Sequence, residues 1–505
     1  MGSKATEHIN NGTEDTSYDH VLKYTGVFGG VQVLSMLIAA IRNKLAAMWL
    51  ARAGMGFFMM FSNISAFVSS ATNAGIPLSA VRNISELLET GDNREVESYV
   101  VTIRTWSLWT AFLGALVCVL LAPAISFFAF DGSLEYAMHV ALLAPMVFAT
   151  AVTNGEISIL KGTRKLKRVA VITAVSALFT LVSVLPFFYL WHVRGVIPAL
   201  VVNAIVIMVV HLYFSLQVFP WRVALFSREV LRSGLGMLKI GVPYVLASVI
   251  NSLTALAIPA FLLSIGNMDD VGLYKVGYGL MAVYAGMVFV AMEADYFPRL
   301  SSLCNNVGRM NNAINQQIDV CVLLMAPLLM AMMIAMPFMV KLLYSGEFIM
   351  VVNMAVCAAF YMFFRAVMLP IAYTSLAKGD SLVFLLMEVA YDLYSFAFIA
   401  AGYYFGGITG TGIALSATAL LEVIIIAVFY SWRYGFRFFP HTLRVIFIQG
   451  ALLAVVLFLC LQGNLWLKYL LGALLFAVSS FYSFRVLNKK SSFLAAVKQR
   501  FAKRK

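Results

Sequence analysis

The stretch GGVQVLSMLIAAIRNKLAAMWLARAG, residues 29–54, governs how the rest of the chain is read. It is a mostly apolar run longer than the roughly 20 residues that span a bilayer as a helix. Arg42 and Lys44 interrupt it. A cation at bilayer depth costs roughly 2.5–3.5 kcal/mol even on lenient insertion scales, so such a residue normally faces a protein interior or a wet cavity. The stretch therefore reads as a membrane helix built to hold positive charge, and its partner as an anion.

Composition places the whole chain in the same solvent. Of 505 residues, 62% are hydrophobic and 12% charged, and the mean hydropathy is +0.89, well outside the soluble range. Apolar segments recur along nearly the full length and leave no room for a separate soluble domain. The net charge of +13 comes from Lys and Arg in loops between apolar segments, the pattern of the positive-inside rule, so nucleic acid is not an expected partner. The five cysteines and six histidines show neither disulfide nor metal-ligand spacing. The polar N-terminus lacks the basic start and short apolar core of a cleaved signal peptide.

Apolar windows of about 20 residues give about fourteen spans. Their limits are 23–49, 56–80, 98–121, 137–160, 169–191, 196–218, 240–264, 271–295, 316–340, 349–374, 382–404, 410–432, 443–462 and 465–486. One set of loops is basic: KGTRKLKR (Lys161 to Arg168), the segment with Arg222, Arg228, Arg232 and Lys239, the Arg433/Arg437/Arg444 loop and the C-terminal tail. The other set holds Asp131, Glu135, Asp269, Asp270, Glu347 and the chargeless FGGITG. The basic set is cytoplasmic by the positive-inside rule, and with it both termini.

The opening stretch also recurs. GVPYVLASVINSLTALAIPAFLLSIG (Gly241 to Gly266) aligns with it at an offset of 212, and after a four-residue gap GFF at Gly56 pairs with GLY at Gly272, and RNISELL at Arg82 with PRLSSLC at Pro298. Two lobes of six helices follow, both starting from the cytoplasm and so related by an axis along the membrane normal; substrate sites of such transporters lie between the halves. The expected segments are a cytoplasmic tail (1–22), an N-lobe (23–219), a cytoplasmic linker (220–239), a C-lobe (240–435), an added helix pair (436–488) and a basic tail (489–505).

Ionisable residues inside the spans are the functional candidates. Arg42, Lys44, Arg365 and Glu422 lie deep, where charge is costly, and Lys275 lies near the outer boundary. Arg82, Arg104, Glu156, Glu293 and Asp295 lie within about two turns of the cytoplasmic boundary, where snorkelling makes a charge cheap. Arg42 and Lys44 are about 200° apart around a helix and cannot share a face; Arg42 is the cavity candidate, because Lys44 has the shorter way out. Glu388 and Asp392, four apart, share one face. They read either as a proton or Na⁺ site or as partners of a neighbouring cation. No P-loop, nucleophile elbow or paired-carboxylate loop is present, so an enzyme is not expected.

Four stretches taken together resemble the polysaccharide and O-antigen (Wzx-type) flippases of the multidrug/oligosaccharidyl-lipid/polysaccharide exporter superfamily. They are residues 29–58, NAGIPLSAVRNISE (Asn73 to Glu86), LKGTRKLK (Leu160 to Lys167) and ADYFPRLSSL (Ala294 to Leu303), with LYSGEF (Leu343 to Phe348) in support. The resemblance implies an all-α polytopic membrane protein with two six-helix lobes in a V and, at the C-terminus, two further helices. It implies a cationic cavity that carries an undecaprenyl-diphosphate-linked oligosaccharide outward across a bacterial inner membrane, with Arg42, Lys44, Lys275, Arg365 and Arg82 as candidate diphosphate ligands. Glu388, Asp392 and Glu422 are the candidates for coupling to H⁺ or Na⁺. No other cofactor is implied; membrane lipids and glycan polymerase machinery are the expected partners, and a monomer the expected state. In the related lipid II flippases the first helix carries an Arg-Asp pair that falls on Arg42 and Asn43, so the role of that acid does not carry over. The eighth-helix arginine of those relatives falls near Gly279, one turn from Lys275. The alternative within the superfamily is a cation-coupled multidrug extruder, for which cavity acids would be expected.

Overall fold

In the computed structural model, which describes the backbone of residues 4–90, 93–303, 306–462 and 465–490, every regular element is helical. The expected basic tail beyond residue 490 and the side chains of the N-terminal acids, Glu293 and Asp295 lie outside the described ones. Among the described residues, ten helical stretches are long and apolar enough to cross a bilayer. Three are broken internally, Leu34–Thr72 at Ala51 (φ 53°, ψ −164°), Arg168–Leu216 at His192 (φ 49°, ψ −128°) and Ser381–Tyr434 at Gly407 (φ 55°, ψ −146°). Positive φ cannot continue a right-handed helix, and each break falls between two of the spans read from the sequence. The expected span 271–295 lies within a continuous helix, Met268–Leu303. The all-α polytopic class is therefore the observed one.

The chain divides into two compact units, the first comprising residues 1–50 and 60–252, the second residues 51–59 and 253–505. The first is built from most of α1 (Lys4–Thr72), α2 (Ile76–Thr90), α3 (Asn93–Leu120), the short α4 (Ala122–Ala129) and α5 (Ala137–Ala141), α6 (Ala144–Gly162), α7 (Leu166–Trp191), α8 (Val196–Leu216) and the start of α9 (Arg228–Ile265). Helix α2 is amphipathic. Its Ile76, Ala80 and Ile84 pack with Val96, Val100 and Ile103 of α3 and Ile159 of α6, while Arg82 and Glu86 pair on the exposed face at 2.8 Å. Apolar residues at i, i+4 and i+8 make one stripe, which is what burying a single face requires.

The second unit holds the rest of α9, α10 (Met268–Leu303), α11 (Val307–Leu343), the short α12 (Val352–Cys357), α13 (Ala359–Ala377), α14 (Ser381–Tyr434), α15 (Pro440–Leu461) and α16 (Leu465–Lys490). Asn306 caps α11 by accepting from the Arg309 N–H at 3.0 Å. The added pair α15–α16 packs on α11 through polar contacts. Asn315 donates to the Arg437 carbonyl and accepts from the Phe439 N–H, and Gln449 joins α15 to Ser479 and Ser483 of α16. Gly56 and Gly272 meet here: a Cβ on Gly272 would lie 2.0 Å from the Arg52 carbonyl oxygen and 3.2 Å from the Gly56 nitrogen. Only glycine permits that approach.

Candidate functional site

In the first unit, Arg42 and Lys44 are both half-buried on α1, and Arg42 donates to the Asn43 side-chain oxygen at 3.2 Å. Arg82 sits on the exposed face of α2, with its pair to Glu86 about 60% open to solvent on both sides.

Arg104 and Glu156 are where the structure corrects the sequence reading. Instead of snorkelling to the interface, both are essentially buried, at 2% exposure. Arg104 Nε and Nη2 donate to the two Glu156 oxygens at 2.8 and 3.2 Å. The guanidinium also donates to the carbonyls of Pro220 (2.6 Å) and Phe219 (3.2 Å) and lies 5.2 Å from the Trp221 ring centroid, and Ser215 donates to Glu156. The Ala224 N–H donates to Thr105 at 3.0 Å, and Trp109 Nε1 to the Leu225 carbonyl at 3.1 Å. The buried pair thus ties α3, α6 and α8 to the segment that leads into α9. The four hydrogen bonds that Arg104 makes to carboxylate and carbonyl oxygens exceed the three N–H donors of an ammonium but not the five of a guanidinium. The sequence held a usable signal: opposite charges at equal depth in consecutive antiparallel spans.

In the second unit, Lys275 on α10 is half-buried, and its Nζ lies 3.3 Å above the Phe58 ring, a cation–π geometry. A polar assembly surrounds Arg365 of α13. Its Nη1 donates to the Tyr361 hydroxyl at 2.7 Å, and the Tyr361 ring lies 6.3 Å from that of Tyr278, with Tyr391 in electrostatic range of Arg365. Arg365 is within electrostatic range of Glu388 and Glu422, and Glu422 within range of Glu388 and Asp392. Asp392 and Glu422 are buried and Glu388 is half-buried. The fold therefore gathers Arg365 and all three acids from α13 and both halves of α14, with tyrosines from α10 and α14 around them. An assembly with more carboxylates than guanidinium groups can take up H⁺ or a small cation, because each gained positive charge relieves repulsion.

At the basic end of this unit, Asp380 ties the α13–α14 turn to the end of α14. Hydrogen bonds from Tyr434 (3.0 Å) and Arg433 (3.3 Å) hold its carboxyl below the usual range.

The fold is shared with solved membrane transporters. The lipid II flippase MurJ, in an inward-closed conformation, superposes with a TM-score of 0.68 at 12% identity, covering 91% of this chain and 99% of that one. An inward-facing multidrug resistance transporter of the MATE family and MOP superfamily gives 0.66 at 14% identity, covering 81% and 98%. A MOP superfamily transporter from Pyrococcus furiosus, described as having a binding pocket of reverse polarity, gives 0.56 at 16% identity, covering 82% and 96%. No curated protein matches the chain. Residues 47–353 match the family described as polysaccharide biosynthesis protein, and the chain belongs to that family.

Proposed function

We propose that this protein flips a diphosphate-linked oligosaccharide lipid from the cytoplasmic to the outer face of a bacterial inner membrane by alternating access, for polysaccharide or O-antigen assembly. The observation that carries this reading is the family match over residues 47–353 in a chain whose fold is shared with a lipid II flippase. The physics agrees: a diphosphate with a sugar head cannot cross hydrocarbon unaided, but cations on a membrane helix can replace its water while the lipid tail stays in the bilayer. Arg42 and Lys44 supply such cations on α1. The N- and C-lobes inferred from the repeat, glycan polymerase machinery as partner and a monomeric state belong to the same reading.

The direct test is reconstitution. Liposomes containing the purified full chain and a polyprenyl-diphosphate glycan are expected to expose the glycan to an enzyme on the far side at a protein-dependent rate. The acids around Arg365 favour one rival, a cation-coupled extruder of cationic drugs, since carboxylates suit cationic cargo. Efflux of a cationic dye without glycan translocation would select the rival.

Orientation is tested separately. With both termini cytoplasmic, single cysteines at Asp269 or Gly406 are expected to react with an impermeant thiol reagent in intact cells, and one at Lys165 is not. Reaction at Lys165 alone would invert the topology.

Translocation is expected to be ion-coupled through Glu388 and Asp392, with Glu422 as the second candidate. A Glu388→Gln/Asp392→Asn protein should lose its dependence on an imposed pH or Na⁺ gradient while still binding the lipid-linked glycan. The acids can drive exchange between states only if their ion affinity differs between them. Full gradient dependence in the double variant would leave both acids with a packing role beside Arg365.

A further inference from the structure

The second unit contains a cavity of about 770 Å³ bounded by α10, α11, the start of α15 and the end of α16. Its two long walls change character in the same direction. On α11 the lining residues Asn312, Gln316, Val320 and Leu324 follow one another at i+4, so they form one stripe. That stripe is polar for its first turn and apolar afterwards. On α10 the lining residues are Arg299 and then Met292 and Val288. Because α10 ends at Leu303 and α11 begins at Val307, both polar parts lie at the α10–α11 turn and both apolar parts run away from it. At 1.5 Å per residue each wall extends roughly 16–18 Å, close to the roughly 15 Å hydrocarbon depth of one leaflet.

The polar end holds one fixed cation, Arg299, and one carboxylate, Asp319, set behind His441. Arg299 donates to Gln317 at 3.0 Å, using one of the five N–H donors of its guanidinium. His441 lies 3.5 Å from Asp319, whose carboxylate is 3% exposed behind it and keeps the imidazole at the rim. From this arrangement we infer that the cavity is a binding site for one acidic glycerophospholipid of the cytoplasmic leaflet. Its phosphate lies at Arg299 and His441, and one acyl chain runs along Val320, Leu324, Met292 and Val288. Basic pockets between membrane helices on that side hold anionic headgroups by the same chemistry. Seated there, the lipid fills the space between α10–α11 and the added α15–α16 pair, so it holds that pair in place. The inference needs the membrane fold and the basic-end orientation, and it is independent of what the protein transports.

Native mass spectrometry of the delipidated full chain, titrated with phosphatidylglycerol, phosphatidylcholine or a polyprenyl phosphate, tests it without a transport assay. One tightly held phosphatidylglycerol is expected, and Arg299→Gln should weaken it by about fivefold, the worth of one interfacial cation. Val320→Trp should remove the adduct by filling the apolar end, and Leu324→Trp serves the same purpose should the first variant not stay monodisperse. Arg309→Gln, an exposed cation outside the cavity lining, should leave binding unchanged. Equal retention of phosphatidylcholine, or an adduct that survives both tryptophan variants, would overturn the site. Displacement of phosphatidylglycerol by the polyprenyl phosphate would overturn the resident-lipid identity and give the cavity to the transported tail.

Discussion

Replacing Arg42 with alanine is expected to abolish glycan translocation while leaving a folded, monodisperse protein. Arg42 is held half-buried on a membrane helix, where a cation is retained against an insertion cost. A guanidinium binds a phosphate through two parallel N–H···O bonds. At roughly 1.5–3 kcal/mol for each bond to a charged group, losing both costs about 3–6 kcal/mol, or at least about a hundredfold in affinity. Arg42→Lys keeps the charge but not the fork, and should therefore retain partial activity. The hydrogen bond it makes to Asn43 joins chain neighbours, and a monodisperse elution profile of Arg42→Ala is the check that the fold survives. Proteoliposome assays of the wild type, Arg42→Ala and Arg42→Lys give the comparison. Wild-type translocation by a well-expressed Arg42→Ala protein would remove Arg42 from the site.

Arg104→Ala and Glu156→Ala are each expected to destabilise the first unit severely. Each removal leaves the opposite charge buried without its counterion, which typically costs about 3–5 kcal/mol. Arg104→Ala also orphans the carbonyls of Phe219 and Pro220, whose donors it supplies. Replacing both partners with apolar residues of similar volume, Arg104→Met with Glu156→Leu, should recover much of the loss, because no charge is then stranded. Thermal unfolding in detergent separates these cases. Wild-type melting of both single variants would mean that the pair contributes nothing to stability. A second readout locates the effect: a cysteine placed at Arg222 should react faster with thiol reagent in Arg104→Ala, since the 219–225 segment loses its anchor.

Hydropathy alone determined the class of this protein. A chain that is 62% hydrophobic with polar breaks about every 20 residues must satisfy its backbone internally in lipid, and helices do so segment by segment. That is why the breaks at Ala51, His192 and Gly407 fall between spans already legible in the sequence. The fates of the charges were not legible in the same way. The sequence supplied depth, and depth alone made Arg104 and Glu156 cheap interfacial residues and left Glu388 and Asp392 undecided between two roles. Only tertiary structure brought Glu156 to Arg104 across 52 positions, and gathered Arg365 with acids from both halves of α14. It also placed α15 and α16 where, with α10 and α11, they border an open cavity. Whether a buried charge is tolerated depends on what stands within a few ångströms of it, and that neighbour comes from another helix.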